Sequence, residues 1–157
     1  MVYLWLKLIH IISATILFGT GLGTAFFMFC AHLTRSTETI AKTTRTVILA
    51  DWIFTTPAVL IQPLTGFWMI ALGYFPIQAN WLIITYFLYI IIGSCWIPVV
   101  YLQIKMNALA QEALKNKQDI MDNQQYRKYF KLWFVLGWPA FIMVLIIFYL
   151  MVLKPNF

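Results

Sequence analysis

The chain has 157 residues, 62% of them hydrophobic and 10% charged, and a formal net charge of +6; its mean hydropathy is +0.82. Soluble domains hold about 45–50% apolar and about 25% charged residues, so a soluble globular protein is excluded, and with it a disordered chain, a collagen and a disulfide scaffold. The excess of Lys and Arg marks the loops flanking a membrane rather than a nucleic-acid partner.

Four apolar stretches cover about 3–31, 47–72, 80–104 and 132–153. Each meets the ~20 residues needed to cross a ~30 Å hydrocarbon core. A lipid-exposed segment must satisfy its own backbone, so each is predicted to be a helix. The runs are continuous rather than alternating, which argues against a barrel.

The first stretch is too long for a cleavable signal and lacks a small-x-small site, so it is expected to stay as a helix. It carries His10, Ser13, Gly21, Thr24, Met28 and His32 close to one stripe. His10 and His32 differ by only about 40° around the axis but lie roughly 33 Å apart along it, so one cofactor cannot bridge them. Gly19 and Gly23 form a GxxxG pair. This spacing permits close helix packing and equally leaves room for a flat cofactor, with Gly21 between them. Lys7, one turn before His10, either snorkels to the interface or meets a cofactor carboxylate.

The segment 32–46, with Arg35, Lys42 and Arg45, reads as a loop. The second stretch sets Asp51, Thr55, Gln62, Thr65 and Met69 on one face. Pro57 and Pro63 each remove an amide donor, so a kink is expected. Asp51 has two readings, an ion pair with Arg45 or Lys105 and a place in a proton relay. The connection 73–79 carries no charge.

The third stretch aligns Thr85, Tyr89, Trp96, Gln103 and Asn107, with Pro98 nearby. The following loop, 105–131, is expected to be partly helical, because ALAQEALKN is rich in helix formers. Asp122 or Asn123 is placed to cap the fourth helix, which carries Trp133, Gly137, Trp138, Pro139 and Phe141. Nine of the 11 basic residues fall in 32–46 and 105–131, and only Lys7 and Lys154 fall on the other side. By the positive-inside rule both basic loops face the cytoplasm and both termini face outward. Cys30 and Cys95 lie inside apolar segments and read as packing residues.

No phosphate-binding loop, dinucleotide fingerprint, HExxH or CxxC pair is present. Redox or porphyrin chemistry remains. A histidine facing the interior of a helix bundle is a standard haem ligand. His10 therefore reads as a haem ligand or as a satisfied structural histidine, and His32 as a loop-end histidine. Met69 and Met151, at the outer ends of their helices, are the thioethers available for a second axial position. A five-coordinate iron is equally compatible.

The strings KLIHIISATILFGTGLGTAFFMF, ADWIFTTPAVLIQPLTG, CWIPVVYLQIKM and LWFVLGWPAFIMVLIIFYLMVLKP resemble an uncharacterised family of bacterial integral membrane proteins, a domain of unknown function, over about Tyr3 to Pro155. That family is distantly similar to a four-helix group containing copper-resistance D-type proteins and the membrane protoporphyrinogen oxidase. In the oxidase, the resemblance implies a haem b histidine in a KxxHII-like stretch, which His10 matches. The oxidase also uses a basic residue within a later helix. Here Lys105 stands only at a helix end, and the chain lacks a clustered Met/His copper motif.

The resulting expectation is one all-α integral membrane domain, 1–157. It is a four-transmembrane-helix bundle in a bacterial inner membrane with both termini outside. The expected function is that of a b-type haem redox protein, a possible oxidoreductase for electron transfer or small-substrate oxidation, linked to a quinone or redox partner. His10 would bind haem b, Lys7, Gly19, Gly21, Gly23 and Gln62 would contact it, and Met69 or Met151 would complete the iron. The alternative is a non-enzymatic partner subunit, assembly factor or copper transport protein, with homo-oligomers open in either case.

Overall fold

The computed structural model describes residues 1–155. The described residues are all-helical, with no strand: α1 Val2–Leu33, α2 Thr37–Ala50, α3 Thr56–Ala71, α4 Asn80–Lys115 and α5 Gln124–Leu153. A π-helical turn, Asp51–Thr55, fuses α2 to α3, so these form one 35-residue rod. Four helices are thus long and apolar enough to cross a membrane, as the four apolar stretches require. Only between 6% and 22% of each apolar window is buried inside the molecule. The rest, Trp52, Phe87 and Trp138 among it, faces outward and needs hydrocarbon around it.

The helix limits correct the sequence expectation at the basic end. The segment 32–46 is not a loop: α1 continues to Leu33, a tight turn passes through Thr34 and Arg35, and α2 starts at Thr37. Ser36 caps α2, its hydroxyl accepting from the Thr39 amide, a contact worth about 1 kcal/mol. Within the polar run TETIAKTTRT, Ile40, Ala41, Thr44 and Val47 recur at helical spacing and are buried. The segment 105–131 is likewise mostly helical. α4 runs to Lys115, a 3-10 turn covers Ile120–Asp122, and Asn123 caps α5, its carboxamide oxygen accepting from the Gln125 and Tyr126 amides. Arg35, Lys117 and Lys154 adopt left-handed φ of 45–54° where α1, α4 and α5 end. There their charge complements the helix dipoles.

The predicted disturbance of the second span takes the form of the π-turn. Pro57 has no amide hydrogen, and the ladder before it shifts to i→i−5, with the Thr56 amide donating to the Asp51 carbonyl. Pro63 withdraws a donor from the Val59 carbonyl, and the Tyr89 hydroxyl of α4 replaces it at 2.6 Å.

α1 packs along α2, the π-turn and α3, whereas α4 packs on α2 and α5. Aromatic pairs join α1 to α5, with Phe18 on Phe141 and Phe29 on Phe134, each at 5.7 Å between centroids. The tightest core lies at the basic end, where Ile40, Ala41 and Val47 of α2 meet Leu102, Met106 and Ala110 of α4 and Tyr126 of α5. Thr37 stitches this end together. Its hydroxyl donates to the Gln118 carbonyl and accepts from the Ile120 amide. At the opposite end a smaller cluster of Trp81, Leu82 and Leu150 is crowned by the Lys154 ammonium, 4.4 Å over the Phe75 ring.

Candidate functional site

His10 sits in the terminal half of α1 and is half-buried against α3. Its Nδ1 lies 2.7 Å from the Thr65 hydroxyl. That hydroxyl gives its one proton to the Ile61 carbonyl at 2.7 Å, with the Gln62 carbonyl at 3.1 Å. A hydroxyl that donates to a carbonyl can only accept from the ring, and the matching tautomer is the one protonated on Nδ1, with Nε2 as the lone-pair nitrogen. The Gln62 carbonyl also lies beside the ring. Such fixing of one ring nitrogen is the outer-shell arrangement that orients metal-binding histidines.

Gly66 lies beside this pair. A Cβ there would stand 3.2 Å from the Tyr86 hydroxyl and 3.6 Å from His10 Cε1, so its absence lets α1 and α4 side chains meet over α3. Tyr86 stacks on Phe67 at 4.5 Å. Gln62 Oε1 is buried without a donor. Ser13, one turn along α1, donates its hydroxyl proton to the Ala58 carbonyl at 3.0 Å.

The other expected contacts are distributed differently. Lys7 is exposed, its ammonium 5.9 Å from the Tyr3 ring. Met69, one turn beyond Thr65 on the same face, is buried. Met151 belongs to the terminal cluster with Trp81 and Leu82. Gly19 and Gly23 line a separate groove of about 730 Å³ with Thr20, Thr24, Phe27 and Lys42. A Cβ on Gly19, Gly21 or Gly23 would meet nothing within 4 Å, so no helix of this chain packs on the GxxxG pair.

A second polar site lies nearer the basic end. Asp51, 5% exposed, accepts from the Thr55 hydroxyl at 2.8 Å. The expected ion pair with Arg45 or Lys105 does not form. The one ion pair among the described residues is Lys42 with Glu38, and the Lys105 ammonium lies instead 5.4 Å from the Tyr101 ring. The Gln103 carboxamide meets the Asp51 carboxyl. A groove of about 250 Å³ adjoins it, lined by Asp51, Trp52, Thr56, Trp96, Ile97 and Val100. Neither groove is lined by His10.

His32, at the far end of α1, stacks on Phe130 with centroids 3.6 Å apart and meets the Tyr126 hydroxyl at 3.1 Å. It is a satisfied packing histidine. No group of three or more His, Cys, Asp or Glu gathers as a metal cluster among the described residues. Sequence reasoning missed Gly66 and Tyr86, which carry no charge and no motif. Thr65 and Tyr89 stood on the polar stripes without an assigned partner. The freed carbonyl behind Pro63 was the available signal for Tyr89.

One family model, described as "Predicted integral membrane protein (DUF2269)", matches residues 4–155. No curated protein and no solved structure matches the chain.

Proposed function

Because the chain belongs to this family of predicted integral membrane proteins (DUF2269), whose description names no activity, we propose its role from the site: a b-type haem protein of redox type, with His10 as iron ligand. The observation that carries the reading is the His10–Thr65 bond at 2.7 Å. It fixes the ring and keeps Nε2 free as a neutral nitrogen donor, the form in which imidazole binds haem iron. The donor chemistry therefore fits the group. The KLIHII stretch is also where the resemblance read from the sequence implies a haem histidine.

Haem held there would supply one-electron chemistry. The chain's own residues orient and polarise. Thr65 sets the imidazole tautomer, and Gln62 Oε1 offers an unused acceptor to a hydroxyl such as that of a quinol. Met69, buried on the Thr65 face, is the thioether that α3 would offer to the group. The apolar spans call for a lipid bilayer; in this reading it is a bacterial inner membrane, where a lipid-soluble electron carrier would arrive laterally.

The test is an absorption spectrum of detergent-purified protein, from cells supplied with haem precursor, before and after dithionite. A Soret band with a reduced α-band, lost in His10→Ala while the helical signal persists, supports the reading. A featureless spectrum makes His10 structural and leaves a partner subunit, assembly factor or transport component as the function.

A further inference from the structure

Asp51 is the only Asp, Glu, Lys or Arg between Arg45 and Lys105. Its carboxyl is buried at the edge of an apolar stretch with no cation beside it. From α2, Arg45 is exposed and six residues away, and from α4, Lys105 is exposed and turned to Tyr101. α1 contributes no Asp, Glu, Lys or Arg between Lys7 and its end, and α3 contributes none at all. A carboxylate in such a place is costly unless one positive charge accompanies it, and no side chain of this chain brings that charge.

The surroundings supply hydrogen bonds and one spare oxygen instead. Thr55 brings a hydroxyl to 2.8 Å. Gln103, 4% exposed, turns its carboxamide nitrogen to the carboxyl, which leaves its Oε1 buried with no donor. The π-turn that holds Asp51 interrupts the helix there, ahead of Pro57, which has no amide to give. Hard oxygen donors on an interrupted helix are the chemistry that takes protons and alkali ions in membranes. The Trp52–Trp96 groove gives the carboxyl a way out.

We propose that Asp51, Thr55 and Gln103 form a binding site for one exchangeable small cation, a proton or a dehydrated alkali ion. The site stands apart from His10 and does not depend on haem.

Dicyclohexylcarbodiimide, which modifies protonated carboxyls in apolar surroundings, reports the state of Asp51 in the full-length detergent-purified chain. Peptide mass mapping is expected to place an adduct on Asp51, with no such adduct in Asp51→Asn. Labelling that falls as pH rises and ignores alkali salts assigns a proton. Labelling suppressed at fixed pH by sodium or potassium chloride, but not by choline chloride, assigns an alkali ion, and Gln103→Leu should then weaken the protection several-fold. Unlabelled Asp51 at every pH and salt at which the bundle stays folded overturns the proposal. So does labelling that is the same under all of them. These readings use the wild-type chain and survive misfolding of either variant.

Discussion

At the residue scale, the polar groups that matter are few because lipid makes each of them costly. Thr65→Val keeps the shape and removes the acceptor for His10 Nδ1. Interhelical hydrogen bonds in membranes average about 0.6 kcal/mol and reach about 1.7. Unfolding in detergent should show a loss in that range, with Thr65→Ser recovering it. Gly66→Ala sets a helix gain of about 0.5–1 kcal/mol against a Cβ 3.2 Å from the Tyr86 hydroxyl, so it should stabilise less than Ala at Gly19 or Gly23. Gly19→Ala and Gly23→Ala should raise stability by the full gain, about 0.5–1 kcal/mol, since Ala is the better helix former and nothing in the chain obstructs it. Destabilisation at these two would reveal a second copy packed on the GxxxG face. His10, Gln62 and Asp51 were legible in the sequence as polar residues on helical faces. Thr65 as the partner of His10, and Gln103 as the partner of Asp51, depend on how two helices are rotated against each other, and no single-helix pattern holds that information.

Among the elements, hydropathy located the spans and misplaced their ends. It reports where apolar surface stops, whereas the backbone ladder continues through any polar run with helix-compatible residues and a cap. That is why 32–46 read as a loop and folds largely as α2. The prolines were legible as disturbances, though their repair was not. A double-mutant cycle tests the repair at Pro63. Tyr89→Phe alone should cost roughly 1 kcal/mol by stranding the Val59 carbonyl. In a Pro63→Ala background the residue 63 amide can serve that carbonyl, so the same change should cost clearly less. Equal costs in both backgrounds would mean that Tyr89 acts through packing alone.

For the whole molecule, charge asymmetry predicts that the turns at the basic end, 34–36 and 116–123, face the cytoplasm with the Lys and Arg residues that flank them. Single cysteines placed there and in 73–79, in a chain lacking Cys30 and Cys95, should react with a membrane-impermeant thiol reagent on opposite sides of sealed cells. Labelling of 116–123 from outside would invert the topology. The same turns adjoin the molecule's best packing, where α2 is wedged against α1 and α4. That wedge lies largely beyond the apolar stretches, so water drives its burial, whereas spans already in hydrocarbon gain nothing comparable from one another. The molecule is in effect a peg whose spring sits outside the bilayer. Urea and cold, which weaken aqueous burial, should slacken the spring and let the four rods drift apart in the membrane while each stays helical.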